Sequence, residues 1–259
     1  MDGEVHYLSQ PDSFVTRVLC YPYETCSSLE YRLKTLVNRG FTYFLSTGKN
    51  IMGMRVLGRG YSSIVVAAHH SAYGVGALKL LRLDSRRNSL VHEAEMMRVA
   101  QPSGLPPRLY TYGDFYVFYE LLPLHACKPY PSVLESLLAT GRTRELVDLL
   151  KSTLLSLHVL DSLRVDHTEI NRLHGHVFYC DDGSVRVLDW ESARFSKKPS
   201  NVTSFVSYVL YRFKGSSALQ AVLKYDTGRV LSALRNYKSS YSREALSEIL
   251  RSLSLEEWE

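Results

Sequence analysis

Four groups of residues have side chains and spacings that could handle a phosphate. Gly58-Arg59-Gly60-Tyr61-Ser62-Ser63-Ile64-Val65 fits G-x-G-x-x-[GS]-x-V between two apolar, strand-like runs. Glycines there would let the backbone approach phosphate oxygens and offer N–H groups to them; a hairpin turn that needs positive φ would use the same residues. Lys79, in Ala77-Leu78-Lys79, lies inside an apolar strand and either points to solvent or reaches a phosphate. Glu93 follows on the next helix and faces inward if that helix packs by Val91, Ala94 and Met97, with Glu95 as the alternative. A Lys–Glu pair would hold the lysine over the α- and β-phosphates of a nucleotide. Asp189 ends a strand in Val187-Leu188-Asp189-Trp190-Glu191, a position that suits a Mg²⁺ ligand or a turn cap.

The elements that must position these groups follow from hydrophobic periodicity. Strands are expected over 51–57, 64–70 and 75–83, then a helix with Leu90, Val91, Ala94, Met97 and Ala100 on its apolar stripe, ended by Pro102-Ser103-Gly104. Two more strands fall near 108–112 and 115–122. A long helix is expected over 143–163, its leucines at 146, 149, 150, 154, 157 and 160 on one side. An irregular stretch (167–175), a hairpin (176–180 and 185–188) around Asp181-Asp182-Gly183, and helices near 201–213, 216–224, 228–238 and 242–253 complete the chain. Residues 1–50 read as an extension. In it, Ser27 and Glu30 form a capping box, Gly40 stops the helix, and Phe41, Tyr43 and Leu45 alternate as a short strand. Strands first and helices later, joined by a linker over 122–131, give an α+β chain with two lobes.

The 259 residues are 45% hydrophobic and 22% charged, which excludes disordered, collagenous and low-complexity classes. No apolar run approaches the roughly 18–20 residues of a membrane span. Cys20, Cys26, Cys127 and Cys180 show neither a CxxC nor zinc spacing, and are expected as reduced thiols of a cytoplasmic protein. The acidic start, Met1-Asp2-Gly3-Glu4, argues against a secretory signal. A net charge of +5 suits an anionic ligand, nucleotide or nucleic acid. Arginine outnumbers lysine and glutamine is scarce, a composition that leans toward a heat-adapted source.

Glycine-rich hairpin, strand lysine, helix glutamate, linker, long helix, irregular loop, hairpin and Asp-aromatic follow one another as they do in protein kinases. Over about residues 51–195 the chain resembles that superfamily. It is most similar to the archaeal predicted serine/threonine kinases of the RIO-like, atypical branch, through Val56-Leu57-Gly58-Arg59-Gly60-Tyr61, Leu83-Asp84-Ser85-Arg86-Arg87, Asp189-Trp190-Glu191-Ser192-Ala193 and Pro199-Ser200-Asn201-Val202-Thr203. The resemblance implies a kinase-like two-lobe fold with a reduced C-lobe and an N-terminal helix–strand extension, divided as 1–50, 51–122 and 123–259. It implies transfer of the ATP γ-phosphate to a protein or small-molecule hydroxyl with Mg²⁺ or Mn²⁺. Gly58, Gly60, Ser62 and Ser63 would line the phosphates, Val65 and Ala77 would sandwich the adenine, and Glu120 and Leu122 would bind its edge through their backbone. Lys79 would hold the α/β-phosphates, Glu93 would position it, and Asp189 would ligate the metal.

The catalytic loop departs from the family. Asp166-His167-Thr168-Glu169-Ile170-Asn171 stands where H-G-D-L is usual, which puts Glu169 in the aspartate's place, with Asp166 as its rival. Glutamate keeps the charge but reaches one methylene further, and misplacement by about 1 Å can cost on the order of 100-fold in rate. His176 falls at the metal-side asparagine, with Asn171 as second candidate; an imidazole is pH-sensitive and softer than oxygen, which favours Mn²⁺ or slow turnover. No A-P-E follows Asp189, so the acceptor is open. Two other readings follow. One is a nucleotide-binding pseudokinase or slow ATPase switch. The other is nucleic-acid binding through Arg82, Arg86, Arg87, Arg194, Lys197 and Lys198, with no helix-turn-helix, RNP or zinc-finger signature in its support.

Overall fold

The computed structural model describes residues 3–123 and 125–256; Met1 and Asp2 of the acidic start, and Leu124 of the expected linker, lie outside the described residues. The fold is a mixture of antiparallel sheet and helices. It divides into two compact units, Met1–Glu95 with Pro107–Leu122, and Met96–Pro106 with Pro123–Glu259.

The first unit contains, in chain order, β1 (Glu4–Tyr7), α1 (Ser13–Leu19), α2 (Leu29–Asn38), β2 (Phe41–Ser46), β3 (Lys49–Ile51), β4 (Met54–Val56), β5 (Gly58–Arg59), β6 (Ser63–His70) and β7 (Gly74–Leu81). The start of α3 (Val91–Ala100), then β8 (Leu109–Gly113) and β9 (Tyr116–Tyr119) complete it. Its sheet runs β1-β2-β6-β7-β9-β8, with β5 beside β6, so the segment read as an extension supplies two strands. One face is a closed apolar layer: Phe41 meets the rings of His70, Tyr116 and Phe118 at 4.9–5.6 Å, over buried Val66, Leu78 and Leu80.

Three local details differ from the sequence reading. The strand expected over 51–57 folds back on itself as the β3–β4 hairpin, because Met52 and Gly53 both take positive φ (51° and 79°). Successive left-handed residues make a tight hairpin turn, and Asn50 Oδ1 accepts from the Gly53 N–H at 3.0 Å. Helix α2 starts one residue late, with Ser28 at the N-cap and no capping hydrogen bond from its side chain. Finally, the four cysteines are not free thiols: Cys20 bonds Cys26, and Cys127 bonds Cys180. No local spacing announces either pair. Cys127 and Cys180 meet only because two strands place them opposite one another, and the argument from reduced thiols to a cytoplasmic protein falls away with them.

The second unit contains the end of α3, a 3₁₀ turn (Gln101–Ser103), β10 (Cys127–Pro129), α4 (Tyr130–Ala139), α5 (Thr143–Ser162), β11 (Val165–Asp166), β12 (Val177–Cys180), β13 (Val185–Val187) and β14 (Arg194–Phe195). It ends with α6 (Asn201–Tyr211), α7 (Ser216–Leu223), α8 (Thr227–Ser240) and α9 (Arg243–Ser252). The leucine stripe of α5 is buried along its length and packs on α4 and α6. Two small antiparallel ladders, β10-β12-β13 and β11-β14, carry the irregular segments. Among the described residues no helix is long and apolar enough to cross a membrane.

Candidate functional site

In the first unit the chemistry gathers on one face of the sheet. Gly58 pairs with Val65, Val65 with Lys79, and Lys79 with Val117; residues directly opposite in an antiparallel pair share a face, and Ala77, two residues from Lys79, shares it as well. Lys79 does not point to solvent. It is 5% exposed, and its Nζ donates to Glu93 Oε1 at 2.7 Å. Glu93 is 4% exposed whereas Glu95 faces out, so the inward register of α3 is the one that packs Ala94 and Met97. Gly58 and Gly60 form the β5–β6 connection, where the Gly60 N–H donates to Ser63 O at 2.8 Å. Neither takes a positive φ, and a Cβ built on Gly58 would meet nothing. The fold therefore imposes no glycine at 58, and the space beside it suits a group that comes close to the backbone.

The other nucleotide candidates are placed less openly. Ser62 and Ser63 are fully buried, and Ser63 Oγ finds no hydrogen-bond partner; neither hydroxyl reaches the surface. Ala77 is buried and Val65 half-buried on the Lys79 face. The Glu120 N–H donates to Arg108 O at 2.8 Å and its carboxylate accepts from the Arg108 N–H at 3.1 Å. Leu122, 8% exposed, is the last residue of the unit.

In the second unit three candidate residues come together. His176 stands between two carboxylates, with Nε2 3.9 Å from Glu169 Oε2 and Nδ1 3.9 Å from Asp189 Oδ2. All three side chains are partly exposed. Asp166, the rival of Glu169, is buried, and its Oδ1 accepts from the Thr168 N–H at 3.3 Å, so it braces the loop. The backbone here is strained: Thr168 and Asp189 both sit at positive φ (65° and 62°). That conformation is rare for a β-branched residue and accumulates at functional loops. Asp189 is held up by Trp190, which is fully buried and donates from Nε1 to Val187 O at 2.8 Å. His167 packs edge-on against that indole at 4.7 Å. It is fully buried. Burial pushes its pKa down to about 4, against the pull of the Asp189 charge, so it is a neutral packing residue at pH 7.

The sequence reading missed what fixes this loop. Asn201, the first residue of α6 and 1% exposed, accepts from the His167 N–H on Oδ1 at 3.0 Å. Its Nδ2 donates to Val165 O and to Asp161 Oδ1, both at 2.7 Å. Asp161 also accepts from the backbone N–H groups of Asn201 and Val202 and from the Tyr237 hydroxyl. Burial pushes its carboxyl above the ordinary range, and these donors pull it back. Four elements, α5, β11, α6 and α8, are thereby tied to the backbone just before Glu169. The only signal in the sequence was the Pro199–Thr203 segment, which carried family resemblance and no stated role.

Among the described residues no three His, Cys, Asp or Glu side chains are close enough to hold a metal by themselves. A Mg²⁺ ion seldom asks for that; one or two carboxylates with waters and substrate phosphates suffice. Asp189 fits that pattern as the oxygen ligand, and His176 as a softer neighbour. Compared with known proteins, the chain matches no protein-family model and no curated protein.

Proposed function

We propose that the chain is an ATP-dependent phosphotransferase of the atypical, RIO-like kind, with a kinase-like two-lobe architecture. The observation that carries the reading is the buried Lys79–Glu93 pair on the same sheet face as Gly58 and Val65. Burying two charges costs several kcal/mol each, and such a pair seldom improves stability over apolar residues. A phosphate-binding role gives it a reason. In this reading the first unit holds the nucleotide: Gly58 and Gly60 lie along its phosphates, Lys79 offsets their charge, and Glu93 keeps the ammonium in place. Asp189 would be the oxygen ligand for Mg²⁺ or Mn²⁺, an ion whose charge would offset that of phosphate oxygens. Glu169 takes the proton of the acceptor hydroxyl as its oxygen bonds to the γ-phosphorus and the bond to the β-phosphate oxygen breaks, leaving ADP. The acceptor is a protein or small-molecule hydroxyl.

A second reading, a nucleotide binder without transfer, is favoured by one observation: the Glu169 carboxylate already has the His176 imidazole as a neighbour. One experiment separates them. ATP with Mn²⁺ or Mg²⁺ should stabilise the chain by about 2.7 kcal/mol at 100 times its dissociation constant, and labelled γ-phosphate should move in the wild type but not in Asp189→Ala. Stabilisation without transfer selects the second reading. No stabilisation at millimolar ATP and metal removes both.

A further inference from the structure

The segment after Asp189 carries an exposed cationic and aromatic surface that phosphotransfer does not use. We propose that it is a binding strip for single-stranded nucleic acid. Phe195 is 61% exposed, the one phenylalanine among the described residues left so open. Burying such a ring is ordinarily worth a great deal, and here the chain flanks it with exposed Arg194 before it and exposed Lys197 and Lys198 shortly after it. Arg164 joins them across the β11–β14 pair. Arg164, Phe195, Ser196 and Lys197 line an open hollow on the surface. Asp166, opposite Arg194 in that pair, is buried.

The strip is held rigid from behind. Ser196 N–H donates to Arg164 O at 2.8 Å, and Arg164 Nη1 donates to Lys197 O at 3.2 Å. Lys238 Nζ donates to Lys198 O and Pro199 O, and the Tyr241 hydroxyl also donates to Pro199 O. The Arg164 guanidinium lies over the Tyr241 ring at 5.0 Å. The carbonyls of Lys197, Lys198 and Pro199 are thus occupied, while Phe195, Lys197 and Lys198 remain exposed. An acidic polypeptide would be met by the cations alone and would leave the open ring without a partner. A single strand of nucleic acid presents phosphates to the cations and a base face to Phe195, the combination found where single strands are held without sequence reading.

The test uses the full chain, without ATP or metal, so that its outcome is independent of the phosphotransferase reading. Anisotropy of a fluorescein-labelled uridine 12-mer is followed from about 50 to 200 mM salt. Binding is expected, with log K falling linearly against log salt. Lys197→Glu/Lys198→Glu should lower the magnitude of that slope by about 1.4, near 0.7 per phosphate contact. Phe195→Ala should weaken binding about 5- to 150-fold, the span of one lost base–aromatic stack. Arg229→Glu/Arg235→Glu, exposed on α8, should change binding much less than the lysine pair. All altered side chains are exposed, and unchanged melting verifies folding. No binding at 50 mM salt, equal losses in the α8 pair, or unchanged affinity in Phe195→Ala would each overturn the proposal. So would tighter, Phe195-dependent binding of a labelled oligo-glutamate.

Discussion

Replacing Lys79 by methionine removes a charge while keeping most of the side chain's length. At 2.7 Å the attraction between Lys79 and Glu93 is worth about 6 kcal/mol at an effective dielectric of about 20. The desolvation of two side chains that are 6% and 4% exposed cancels most of it. The pair is therefore nearly neutral as a pair but costly to halve. Lys79→Met and Glu93→Leu should each lose about 3–5 kcal/mol of stability, because each strands the other's charge in the interior. The double variant Lys79→Met/Glu93→Leu should lose no more than either single variant, which is a coupling of at least about 3 kcal/mol in the double-mutant cycle. Urea unfolding of the four chains, with equal slopes, measures it. A solvent-facing lysine would tolerate methionine without cost. Lys79→Met within about 0.5 kcal/mol of wild type, or strictly additive losses, would refute the buried pair. The double variant also separates fold from function, since it should stay folded and lose the stabilisation by ATP.

Two further outcomes follow from the loop before Glu169. His167 has a folded pKa of about 4 against about 6.5 in the unfolded chain. Its neutral burial is fully tolerated above pH 6.5, and stability should fall by about 1.4 kcal/mol per pH unit as pH drops from 6.5 toward 4; urea unfolding of His167→Phe at pH 7, 6 and 5 should lack most of this fall, and equal acid sensitivity would count against it. Asn201→Ala removes partners from the His167 N–H, Val165 O and Asp161 Oδ1. At about 1–3 kcal/mol for each buried group left short it should cost about 3–5 kcal/mol, and hydrogen exchange at the His167 amide should speed up accordingly.

Much of the scaffold was legible in the sequence for identifiable reasons. The α5 leucines, the late helices and the hairpin around Asp181-Asp182-Gly183 announce themselves through local periodicity and turn chemistry. The inward register of Glu93 was legible too, because Ala94 and Met97 fix the buried side of α3. What escaped depends on partners far away in the chain. Strands β11 and β14 are two residues each and exist only through one another. The burial of Lys79 comes from its neighbours on the sheet and helix, not from its own strand. Asp161 and Asn201 meet across 40 positions, and neither residue type advertises such a partner. At Met52-Gly53 the difficulty was local: an apolar run hid a turn that only the left-handed backbone reveals.

The Cys127–Cys180 bond has a topological consequence. It closes a ring of chain with a sequence separation of 53, and Asp166, His167, Glu169 and His176 all lie inside that ring while Asp189 lies just outside. Closing a ring of that size restricts the unfolded chain by about 4 kcal/mol in the loop-entropy account. It also means that a single proteolytic cut anywhere between the two cysteines, the irregular loop around Glu169 included, leaves both fragments covalently joined. The loop can thus be severed without its pieces parting until the disulfide is reduced.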